Sequence, residues 1–226
     1  MSESHTRLDV LRWAASLGAV TAPALALRDV LSLASARATL AAAVRRGDLA
    51  RFRPLAGHPA LHTLTARGAR RAGIGSGAGC RVSPANAPHL IACALAAAGL
   101  QRCYPDRRVV GERELRHLER LYGIALASAE LAAGVDKLPH TPDLVLLAPR
   151  PDVELPVAVE VELTLKAPRR LEAICSAWAR CRQVAGVLYV ASDEARRGVQ
   201  RAIERAGAGD RVAVLSLDAL PVAPPA

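Results

Sequence analysis

Apolar positions in the first 75 residues recur at helical spacing. In LDVLRWAASLG, Leu8, Leu11, Trp13 and Leu17 fall roughly a turn apart and Gly18 closes the run, which predicts a short helix. Thr21 then caps a second helix, APALALRDVLS, with Pro23 near its start, where the missing N–H costs little. A third helix is expected from about Ser35, over ARATLAAAVRRGD, ending on Gly47. Two short β-like runs, LARFRPL and ALHTLTA, follow and are joined by AGHP.

Helix, helix, helix, hairpin is the element order of a winged helix-turn-helix, whose third helix enters the major groove while the hairpin touches the backbone. On that reading Leu33, Leu40 and Val44 pack inward. Ser35, Arg37, Thr39, Arg45 and Arg46 are the candidate DNA contacts of the helix, and Arg51 and Arg53 those of the wing. His58 and His62 are expected to face solvent on the hairpin. The competing reading is a helical module for protein contacts with solvated arginines.

GIGSGAGCRVSPANAP, residues 73–88, has no periodicity and reads as a linker. No strand precedes its glycines and no GK[ST] follows them, which argues against a phosphate loop. The expected division is a winged helix over 1–74, a linker over 75–88 and a second domain over 89–226. In that domain HLIACALAAAGL and GERELRHLERLYG read as helices, PDLVLLA as a strand and PRPD as a turn. LPVAVEVELTLK reads as a long strand and PRRLEAICSAWARCRQ as a helix. GVLYVAS is a further strand, Ser192 or Asp193 caps the helix DEARRGVQRAIERAG, and RVAVLSL is the last strand before a frayed PVAPPA tail. A hairpin followed by alternating helix and strand predicts an α/β sandwich around a mixed central sheet.

The long strand carries the chemistry. Val157, Val159, Val161, Leu163 and Leu165 share one face, and Glu160, Glu162, Thr164 and Lys166 the other. In a straight strand Lys166 would lie about 20 Å beyond Glu160. On an edge strand these groups would be a solvated face, worth about 0–1 kcal/mol per pair. The helix and strands that follow predict a central strand instead. There an unpaired carboxylate costs several kcal/mol, so a metal, an arginine or water must compensate it.

Charge changes the picture most in the first third. The chain has 30 basic and 21 acidic residues; residues 1–75 hold 11 arginines and 4 acids, a net +7, against +2 in the remainder. A polyanion is the expected partner there. Only Lys137 and Lys166 are lysines. Five cysteines without CxxC spacing argue against a disulfide framework or a structural zinc site. His140, Cys175, Cys181, Trp13 and Trp178 are read as incidental or packing residues. No signal-peptide pattern or apolar run of membrane-spanning length is seen, so a cytoplasmic protein without membrane contact is expected.

A helix acid, then Pro142-Asp143, then Glu160 on the next strand with a nearby lysine resembles the PD-(D/E)xK nuclease superfamily. The resemblance implies a site in which Asp143 and Glu160 hold Mg²⁺, with Mn²⁺ as substitute. Glu112, or Glu114 in second place, would be the helix acid and Lys166 the cation; Arg169 and Arg170 are alternatives. Glu162 stands where the superfamily keeps lysine, which points towards weak or absent catalysis. Taken with ERELR, the His140-to-Asp143 run and VAVEVELTLK ahead of Arg169-Arg170-Leu171, residues 8–218 resemble the replication-relaxation family. That resemblance implies a double-stranded-DNA-binding protein of a plasmid or mobile element, with relaxase or replication proteins, or a second copy, as partners. A magnesium-dependent nickase and a winged-helix transcriptional regulator with a dimerisation or sensing domain remain open alternatives.

Overall fold

The computed structural model describes residues 3–75, 79–131, 139–150 and 153–221. Residues 76–78 of the expected linker, 151–152 of the expected turn, Lys137 and residues 222–226 of the tail lie outside them. The chain divides into two compact units at Cys103/Tyr104. Both α and β elements are present, with a mixed five-stranded sheet in the second unit. Among the described residues no helix is long and apolar enough to cross a membrane.

The first unit runs α1 (Glu3–Leu17), α2 (Ala22–Asp29), α3 (Leu33–Arg45), β1 (Leu49–Phe52), β2 (Leu61–Leu64), α4 (Ala66–Ala72) and α5 (Ala87–Cys103). Thr21 caps α2 by accepting the Ala24 N–H at 3.2 Å. Ser32 caps α3 by accepting the Ser35 N–H at 3.1 Å, so that helix begins two residues before the expected start. β1 and β2 pair antiparallel, with Phe52 opposite Leu61. The inward face of α3 differs from expectation. Ala36, Leu40 and Ala43 are buried, a stripe at i, i+4, i+7, while Leu33 and Val44 are half-buried. His62 is buried rather than solvated, because the Val20 backbone bridges to it on both sides (2.8 and 3.0 Å).

Two elements here depart from the sequence reading. α4 is a helix that the sequence pattern does not announce, capped by Thr65, which accepts the Gly68 N–H at 3.0 Å, and closed by Gly73 at φ 70°. α5, expected in the second domain, places Ala87 and Ile91 in a core with Ala19 and Leu61. The unit boundary therefore falls after α5 and not in the 75–88 stretch.

The second unit holds β3 (Arg108–Gly111), α6 (Glu112–Tyr122), β4 (Leu144–Leu147), β5 (Val157–Glu162), α7 (Pro168–Arg180), β6 (Gly186–Ala191), α8 (Asp193–Arg205) and β7 (Val212–Ser216). The sheet order is β3-β4-β5-β6-β7; β3, β4 and β5 are antiparallel neighbours, and β5, β6 and β7 run parallel. β5 is thus central, and from Ala158 to Glu162 every residue is buried. Ala158 stands opposite Val145 and Val187. These three share a core with Leu115 of α6, Ile174 and Trp178 of α7, and Val199 of α8. Alternation puts Glu160 and Glu162 on this same helix-covered face.

β5 is shorter than expected. It ends at Glu162, whose carbonyl accepts the Ser192 N–H at 2.9 Å, where β6 gives way to α8. The Ser192 hydroxyl donates to the Leu163 carbonyl (2.8 Å) and also accepts the Ala195 N–H (3.2 Å), so one residue caps α8 and ties down the segment leaving β5. Leu165 then lies against Gly198 of α8, where a Cβ would meet its methyl group at 2.2 Å. With β6 turned into a helix, the segment after Glu162 pairs with no strand among the described residues.

Candidate functional site

The acids of the second unit come from three adjoining strand ends. Leu144 is paired with Val159, so Asp143 stands opposite Glu160 one step further along, at a Cα spacing of about 5 Å. The Asp143 carboxylate accepts the Val161 N–H at 2.8 Å, substituting a side-chain oxygen for a ladder carbonyl where β4 begins. The Asp143 carbonyl accepts the Glu112 N–H at 2.9 Å, which brings the start of α6 to the same corner. The Glu112 side chain, however, pairs with Arg116 at 2.6 Å, and Glu114 pairs with Arg108.

Glu160 is only 3% exposed. One of its oxygens lies 2.7 Å from His140 Nε2 and accepts Trp178 Nε1–H at 3.0 Å. The His140 and Trp178 rings meet edge-on at 5.7 Å. Burial raises the Glu160 carboxyl above its ordinary range, and the neighbouring Asp143 charge adds to this; His140 and Lys166 oppose it. For His140, burial alone would lower the imidazole. The hydrogen bond and charge of Glu160 outweigh burial, and the net shift is upward.

Glu162, 4% exposed, pairs with Lys166. The sequence reading needed a bend for Lys166 to come back to the acids, and the end of β5 at Glu162 supplies it. Arg169 and Arg170 are exposed in the first turn of α7. Thr164 is exposed and outside the strand.

His140 and Trp178 are the residues the sequence reading undervalued. His140 reaches Glu160 because it is held in place: its backbone pairs with Ala129 in both directions (2.7 and 2.9 Å). The stretch before Ala129 is anchored by Glu119 of α6. That carboxylate accepts the N–H groups of Leu126, Ala127 and Ser128 at 2.9–3.1 Å and the Ser128 hydroxyl at 2.7 Å. A histidine just ahead of Pro-Asp was the one available signal.

Magnesium asks for an octahedral oxygen shell and keeps several waters. Of the two expected ligands, Asp143 already accepts the Val161 N–H, and Glu160, buried, is answered by His140 and by Trp178 Nε1–H. This donor set does not fit a hydrated divalent ion. It fits an internally compensated polar network, in which each buried carboxylate has its own partner.

In the first unit Ser35, Arg37, Arg45, Arg51 and Arg53 are exposed. Thr39 is half-buried and its hydroxyl donates to the Ser35 carbonyl (2.9 Å). Arg46 is turned back onto the buried Asp48 at 3.0 Å. Two further acids of this unit are likewise engaged: Asp9 and Asp29 both pair with Arg28 at 2.6 Å. Comparison with family models and with curated proteins gives no match.

Proposed function

We propose that this is a double-stranded-DNA-binding protein whose first unit is a winged helix and whose second unit is a PD-(D/E)xK-like module without effective catalysis. The observation that carries the DNA-binding half is the set of exposed arginines that follow the α2–α3 turn: Arg37 and Arg45 on α3, Arg51 on β1 and Arg53 just past its end. The non-catalytic half rests on Glu160 and Glu162, buried and already compensated by His140, Trp178 and Lys166. The acids then hold β4, β5 and α7 together and do not bind a metal. The family resemblance adds a place of action, a plasmid or mobile-element locus in replication, relaxation or mobilisation, with relaxase or replication proteins as partners.

Two measurements test the two halves separately. Binding of a labelled duplex should weaken steeply with salt, and Arg37→Gln with Arg45→Gln should flatten that dependence. A wild-type protein that ignores duplex DNA at low salt overturns the DNA-binding half. Incubation with supercoiled plasmid and Mg²⁺ or Mn²⁺ should leave it intact. Nicking that vanishes in Asp143→Ala would overturn the non-catalytic half and establish the nickase instead.

A further inference from the structure

α4 adds a basic surface that lies outside the third helix and the wing. Its arginines Arg67, Arg70 and Arg71 stand at i, i+3 and i+4, one face of a helix, and all three are exposed. The other face, Gly68, Ala69 and Ala72, is buried. The helix is held close to the α3–β1 turn. Thr65 Oγ1 donates to the Gly47 carbonyl at 2.7 Å, and the Thr65 N–H to the Asp48 carbonyl at 3.1 Å. Gly68 lies so near that a Cβ there would sit 2.1 Å from the Asp48 carbonyl oxygen.

Asp48 is 1% exposed and gathers guanidinium groups from both sides of this junction. Arg46 Nε lies 3.0 Å and Arg71 Nη1 3.4 Å from one carboxylate oxygen. Arg67 Nε lies 4.0 Å from the other, which is buried without a hydrogen-bond partner. Three positive groups converge on one negative, leaving a net +2, and Arg70 beside them adds a further charge. Each guanidinium keeps donors to spare. The hydrogen bonds of Arg46 and Arg71 to Asp48 hold the junction in place and lower the side-chain freedom lost when its guanidinium groups meet a polyanion.

Resting on the DNA-binding reading above, we propose that Arg67, Arg70 and Arg71 of α4, gathered at the Asp48 junction, form a second contact surface for the sugar-phosphate backbone of duplex DNA. It supplies affinity without base readout.

The test is the salt dependence of binding to a labelled duplex of arbitrary sequence, read by fluorescence anisotropy. Each phosphate contact contributes about 0.9 to the slope of log K against log salt. Arg70→Gln, at an exposed position outside the Asp48 cluster, should lower the slope by about that amount, and Arg70→Lys should leave it unchanged. Arg67→Gln, Arg70→Gln and Arg71→Gln together should lower it by about 2–3, with equal weakening on unrelated sequences. A thermal melt shows whether the triple variant folds; if it does not, the Arg70→Gln and Arg70→Lys pair decides.

An unchanged slope in Arg70→Gln overturns the second surface. If Arg37→Gln still lowers it, the DNA-binding reading stands alone. Wild-type protein that binds phosphatidylserine-containing vesicles but no duplex removes both.

Discussion

His140 Nε2 lies 2.7 Å from the Glu160 oxygen that also accepts Trp178 Nε1–H. One carboxylate oxygen thereby joins the loop before Pro142, the central strand and the helix that covers it. The acids of β5 are thus part of how the second unit is held together, which makes their contribution measurable as stability.

Replacing Trp178 with Phe removes one of the two side-chain partners of a buried carboxylate. Loss of a hydrogen bond to a buried charged group costs about 1–3 kcal/mol, and the smaller ring adds to it. Denaturant unfolding should show this loss. A variant as stable as the parent would mean that the Trp178–Glu160 bond contributes nothing.

The pH dependence of the second unit follows from His140. Its folded value lies above the ordinary 6.5, so its stabilising contribution is complete below pH 6.5 and is lost as pH rises through the folded value. Glu160 is shifted in the same direction, and the pair titrates as a unit. Hydrogen-exchange protection of the β5 amides should decline above pH 6.5, and His140→Gln should remove that decline. Protection that climbs with pH in the parent protein would contradict the pairing.

His62 gives the first unit the opposite sign. Burial lowers it, Arg51 adds to the lowering, and the Val20 and Ala60 backbone only partly offsets them. The folded unit therefore favours the neutral ring, and stability present above pH 6.5 falls away as the solution is acidified through the lowered value. Protection of β2 amides should drop on acidification from pH 7 in the parent and less in His62→Gln.

Val30 ends α2 in the left-handed region, φ 55° and ψ 45°, a conformation that costs a β-branched side chain roughly 1–2 kcal/mol. Its side chain is largely exposed, so little packing offsets that cost. Val30→Gly should raise stability by up to about 1 kcal/mol, less whatever glycine adds to the entropy of the unfolded chain. A drop in stability would show that the turn between α2 and α3 depends on the valine.

Local pattern was a good guide wherever a segment's own chemistry decides its shape. Thr21 and Ser192 cap the starts of their helices as their place in the sequence suggests, and the alternation from Val157 marked β5 as a strand with both acids on one face. Short elements escaped notice. Arg108–Gly111 is too brief to show a period, and Ala66–Ala72 is a seven-residue helix whose caps, Thr65 and Gly73, are its main local signal. α5 is alanine-rich and apolar nearly all round, and no stripe on it says which core it joins.

The residue sequence by itself determined the mixed α/β character, the arginine excess of the first third and the two acids on one face of β5. Tertiary structure alone decided what those acids meet. Where β5 stops depends on its neighbour β6 turning into a helix at Ser192, and that bend returns Lys166 to Glu162. Whether His140 faces Glu160 depends on an anchor provided by Glu119, on α6. Periodicity records which side of an element is buried; the partner found there comes from a distant segment whose register no local pattern contains.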